Sequence, residues 1–159
     1  MATLANLGLS LLANIYPRAA DAAENSARTA ECKEITARII EQTGTHFDHF
    51  SPSGGSVFFK NPDIVLICDP GFVTYVSLNW DASGFPPHDW FTLLAAAGNA
   101  VTGADQKQIE AAAHRCHRTA LKGKSELVDT DLKDAKVECQ AFVRDGRGVI
   151  IDVAKPDKK

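Results

Sequence analysis

The stretch Ser56–Trp80, SVFFKNPDIVLICDPGFVTYVSLNW, decides the fold. It holds three runs rich in β-branched and aromatic residues, SVFFK, DIVLIC and FVTYVSLNW, with Asn61-Pro62-Asp63 and Asp69-Pro70-Gly71 standing between them. Proline presets a turn dihedral and removes a backbone donor, while Asn, Asp and Gly accept the conformations that a tight reversal needs. The runs therefore read as strands, the gaps as turns, and the whole as an antiparallel meander.

On the N-terminal side, Cys32, Ile35, Thr36, Ile39 and Ile40 repeat at helical spacing and predict a helix over about Ser26–Thr43, stopped by Gly44. The intervening THFDHFSPSGG reads as a loop. On the C-terminal side, one helix is predicted from Pro86-Pro87 to about Thr102 and another from about Asp105 to Lys122, with Gly103 as the break. The closing AKVECQAFVRDGRGVIIDVAK reads as a hairpin around Asp145-Gly146-Arg147-Gly148. The expectation is an α+β fold: an antiparallel sheet of about five strands, meander plus C-terminal hairpin, packed by about three helices. This element order resembles that of small α+β secretion-chaperone and adaptor domains, a resemblance that implies a cytosolic adaptor if the N-terminus stays on the chain.

That N-terminus points elsewhere. Thr3–Tyr16 is an apolar run of leader length, and the small residues around Ala20-Asp21-Ala22 fit an A-x-A cleavage site, although no Lys or Arg precedes Arg18. Residues 1–22 thus read as a signal peptide, 23–155 as a single α+β domain and 156–159 as a solvated tail. The apolar run is too short and too often interrupted to be a spanning helix, so no stable membrane insertion is expected after processing. With 17 basic and 20 acidic side chains, net charge −3, the chain lacks the basic face that a general nucleic-acid binder uses to displace counterions.

The chain carries four cysteines, Cys32, Cys68, Cys116 and Cys139, with no C-x-x-C pair, which excludes a thioredoxin-like motif and a zinc ribbon. Behind an export signal they read as two disulfides. Cys32 and Cys116 fall on the apolar stripes of their helices, and Cys139 alternates inward with Val137, Ala141 and Val143. Cys68 ends an almost wholly apolar strand. Helix-to-sheet pairs Cys32–Cys68 and Cys116–Cys139 are the favoured connectivity of the three possible.

Residues suited to chemistry are scattered. His46, Asp48 and His49 with the serines of the following loop, or His88 with Asp81 or Asp89, have the composition of a small hydrolase site. None of the G-x-S-x-G, H-E-x-x-H, P-loop or dinucleotide motifs accompanies them. His46/His49 and His114/His117 offer only paired metal ligands, too few for a four-ligand site, so no metal or other cofactor is expected. Helical rotation puts His114 about 160° and His117 about 100° from Cys116, on a solvated flank. The segment from Trp80 to Phe91 is the most unusual: both tryptophans and two of the eight phenylalanines lie within it. Trp80, Phe85, Pro86, Pro87, His88 and Trp90 are the candidate binding residues, with the tryptophans read as staples and Phe85-Pro86-Pro87 as the exposed contact. The leading functional expectation is an exported, disulfide-stabilised, non-catalytic accessory protein of the inhibitor, immunity or envelope-adaptor kind, with a protein partner.

Overall fold

The computed structural model describes residues 26–82, 84–122, 127–142 and 148–156. The expectations placed on the 1–22 leader, on the 143–147 turn and on 157–159 of the tail lie outside them. In chain order the strands are β1 (His46–Phe50), β2 (Ser56–Lys60), β3 (Ile64–Cys68), β4 (Thr74–Trp80), β5 (Leu127–Asp131), β6 (Lys136–Phe142) and β7 (Gly148–Ala154). The helices are α1 (Ala30–Thr43), α2 (His88–Thr102) and α3 (Gln106–Lys122). Among the described residues the class is α+β with three helices, as expected, but the antiparallel sheet has seven strands rather than about five, in the order β1-β2-β3-β4-β7-β6-β5.

The two additional strands are the sheet's edges. β1 occupies what reads as a loop, and its residues His46 to His49 are all exposed, so it has no apolar alternation to reveal it. Its register slips at Asp48, whose carboxylate accepts from Lys60 Nζ at 2.7 Å. β5, sequence LVDTD, likewise buries no side chain fully. The meander forms as read, and its second turn shows the expected chemistry: Gly71 N–H donates to Asp69 Oδ1 at 3.1 Å and Phe72 N–H to Asp69 O at 3.0 Å. The C-terminal pair also forms, Phe142 opposite Gly148, and β7 docks on β4 to join the halves.

The first helix starts later than its periodicity suggests. Ser26–Arg28 is a single 3-10 turn, and Thr29, in extended backbone, accepts Cys32 N–H on Oγ1 at 3.3 Å and so caps α1. Gly44, at φ 70°, ends α1 with its N–H on Ile40 O. α2 lies against β4 and β7 and between α1 and α3, which explains its nearly continuous apolar sequence; α3 covers β5 and β6. Arg38 Nε donates to Ala100 O at 2.9 Å, tying α1 to the end of α2. Two disulfides fasten the helical layer to the sheet, Cys32–Cys68 from α1 to β3 and Cys116–Cys139 from α3 to β6, each with Cα atoms 5.9 Å apart. This is the favoured connectivity. All four cysteines are buried. Among the described residues no helix is long and apolar enough to cross a membrane.

The sheet's other face carries a cross-strand row Ser77, Asp152, Glu138, Asp129. Burial pushes the Asp152 carboxyl above its ordinary value of 3.8, partly countered by the Ser77 hydrogen bond and reinforced by Glu138, and its buried Oδ1 has no partner among the described residues. The folded protein therefore holds this proton more tightly than the unfolded chain, so stability from Asp152 is complete below the ordinary value and lost as pH rises through the raised one. Asp152→Asn is expected to stabilise the protein at pH 7, with the gain vanishing below about pH 4. Urea unfolding at both pH values checks it; an equal gain at both would assign the effect to packing instead of charge.

Candidate functional site

Between β4 and α2 the chain turns sharply. Trp80 Nε1 donates to Gly84 O at 3.2 Å, and Gly84 sits at φ 89°, a conformation that a side chain would strain. This closure delivers Phe85 and Pro86 onto α3. Pro87, extended and without a capping side chain, starts α2, with Asp89 in its first turn where a negative charge suits the helix dipole.

Phe85, Pro86, Phe91, His114, His117, Arg118, Leu121 and Lys122 enclose a groove of about 390 Å³. Its floor and one wall are aromatic and aliphatic. Phe85 is 67% exposed at its rim, and its ring stands edge-on to His117 with centroids 6.1 Å apart. Positive charge enters the lining through Arg118 and Lys122, which recur, with Arg115, in an adjoining depression on α3. An apolar side chain next to a carboxylate would match this lining.

Of the six candidate binding residues, the fold presents three. Phe85, Pro87 and His88 are exposed, whereas Pro86 is buried against α3 and so is not part of an exposed contact. Trp90 is only 9% exposed and packs edge-on to Phe91 at 5.2 Å, and Trp80 is half-buried and hydrogen-bonded to Gly84. Trp80 thus ties the connection through Gly84, while Trp90 is buried on α2 beside Phe91. The solvated flank expected for His117 is corrected: it is 7% exposed because Phe85 and Phe91 close over it. Burial accordingly holds the His117 imidazole below its usual range, aided by the neighbouring His114 and Arg118.

His88 has a carboxylate beside it, but the partner is Glu110, not Asp81 or Asp89. His88 Nδ1 lies 3.3 Å from Glu110 Oε1, and His114 Nε2 lies 3.9 Å from the same oxygen. Glu110 and His114 are one turn apart on α3, and the His114 ring is stacked on Phe91 at 3.9 Å. Desolvation lowers the His114 pKa, opposed by Glu110 and assisted by Arg118 and His88, which favours the neutral imidazole. Sequence reasoning missed this set because its members are brought together by the α2–α3 packing. The available signal was a Glu and a His at i, i+4, on a helix that follows, after a three-residue connection, a helix beginning with His.

At the far edge of the sheet Asp48 and His49 meet, Oδ2 to Nδ1 at 2.9 Å, while Lys60 binds the other carboxylate oxygen. These two hydrogen bonds hold the Asp48 carboxyl below its ordinary value. The loop serines are used otherwise: Ser51 Oγ bonds Ser53 Oγ at 3.1 Å and accepts Ser56 N–H. His49 stacks flat on Phe58, centroids 4.6 Å apart. The pair serves to fasten an exposed edge strand. No protein-family model, curated protein or solved structure matches this chain.

Proposed function

We propose that this chain is an exported, non-catalytic binding protein that takes a protein partner in the groove between Phe85 and α3, through an apolar side chain flanked by an acidic one. The observation that carries the reading is the groove itself: an aromatic rim residue left exposed over an apolar floor, against Arg118 and Lys122. Aromatic anchors beside charged walls are the usual sources of binding energy at such surfaces. The two disulfides support export over a cytosolic adaptor, since structural disulfides persist in oxidising compartments. They also make the helix–sheet scaffold rigid, which reduces the ordering cost of binding.

Selection of displayed random peptides against the disulfide-intact protein tests the reading. Aromatic or aliphatic residues adjoining Asp or Glu are expected to be enriched, and Phe85→Ala and Arg118→Glu should each weaken the selected peptides by about tenfold or more, the exposed Arg118→Glu while leaving thermal unfolding unchanged. Peptides without that pattern, or peptides indifferent to both substitutions, would remove the groove from the proposal.

A further inference from the structure

The groove reading leaves His88 and Glu110 unused, although their positions are chemically specific. Three side chains from two helices place donor atoms within 4.8 Å of one another: His88 from the start of α2, and Glu110 and His114 from successive turns of α3. The two imidazole rings are nearly parallel, 8° apart, with centroids separated by 6.2 Å. A tetrahedral zinc ion with bonds of about 2.0–2.1 Å requires ligand atoms about 3.3–3.4 Å apart. The His88–Glu110 edge, 3.3 Å, already meets that requirement, and the His114–Glu110 edge, 3.9 Å, is about half an ångström too long.

Closing the His114–Glu110 edge falls to rotation of the Glu110 side chain, and His88, the most exposed of the three, is free to follow it. The His88 side chain is 73% exposed, while Glu110 at 22% and His114 at 33% are more enclosed. The stack of His114 on Phe91 fixes that ring's orientation, as a supporting residue does around a metal ligand. Two imidazole nitrogens and one carboxylate oxygen suit a borderline divalent ion, whereas calcium and magnesium call for oxygen donors.

We infer that His88, Glu110 and His114 form a site for a single divalent transition-metal ion, with zinc the chemical type. Three protein ligands leave the fourth tetrahedral position to water or to a carboxylate from outside. The site shares His114 with the groove lining but needs no partner to be tested.

Isothermal titration of the full, disulfide-intact chain with zinc chloride, in a buffer that does not chelate, tests it. One zinc per chain is expected, with binding weakened about tenfold or more in both His88→Ala and Glu110→Gln. Since His88 is exposed, His88→Ala keeps the fold, and its unfolding midpoint without metal should equal that of the unmodified protein. Cobalt(II) gives a second readout: visible absorption bands of a tetrahedral ion in the unmodified protein, absent in His88→Ala. The inference is overturned by an absence of zinc binding, by unchanged binding in both variants, or by loss of binding in His46→Ala/His49→Ala in their place. Any of these would leave the cluster a polar contact between Glu110 and its two histidines.

Discussion

Replacing Cys32 and Cys68 together by alanine is expected to lower the unfolding free energy by about 4 kcal/mol. The bond closes a loop of 36 residues, and the chain-entropy relation assigns a loop of that size about 3.8 kcal/mol at 25 °C. The Cys116–Cys139 bond closes 23 residues and by the same relation contributes about 3.4 kcal/mol. Each is a large fraction of the roughly 5–15 kcal/mol that holds a domain folded. Alanine pairs are the proper variants because a single substitution would leave an unpaired thiol, confusing lost cross-linking with new reactivity. All four sulfurs are buried, so the truncation itself removes some packing and the measured loss should not fall below the entropic figure by much. Urea unfolding of both double variants decides it: losses below about 1 kcal/mol would reduce the cysteines to core packing and take away the argument for an oxidising compartment.

Much of this architecture was legible because the interior strands and helices carry one-sided burial. Ile64 and Leu66, Val76 and Leu78, and Val149, Ile151 and Val153 alternate inward at strand spacing, and the same alternation placed Cys139 where Cys116 reaches it. The edge strands escaped because HFDHF is exposed from His46 to His49 and LVDTD packs only Val128 on the core while Leu127 faces outward; their existence depends on a neighbour's free backbone groups, which no local pattern encodes. The 3-10 turn at Ser26–Arg28 was hidden for another reason: Thr29 competes for the helix start through its side chain, and periodicity does not register a cap. At the site, Phe85 and His88 stood out through local composition. Glu110 and His114 did not, since what gives them meaning is the crossing of two helices. His117 was misplaced because rotation about one helix axis says nothing of a loop, here Phe85-Pro86, folding over its flank.

That helix crossing depends on α2 lying close to the sheet, and Gly98 sets the distance. A Cβ added at Gly98 would stand 2.8 Å from Val153 Cγ1, 3.1 Å from its Cβ and 3.2 Å from Cγ2. Two effects oppose each other when a side chain is introduced. Replacing a helix-interior glycine gains about 1 kcal/mol of helix propensity for alanine and less for a β-branched residue. Overpacking a close-packed core costs about 1–3 kcal/mol and more when nothing can move. Here the obstacle is a β-branched side chain with restricted rotamers, fully buried on β7, an interior strand held on both sides by β4 and β6. The clash should therefore win, with Gly98→Val lowering stability by about 3 kcal/mol and Gly98→Ala by about 1–2 kcal/mol. If Val153 is the cause, Gly98→Ala combined with Val153→Ala must lose less than the sum of the two single losses, because the cavity left by one accepts the methyl of the other. Strict additivity in that cycle would mean that α2 moves as a body away from the sheet, and the groove at its far end, with His114 and Phe91, should then change its peptide binding as well.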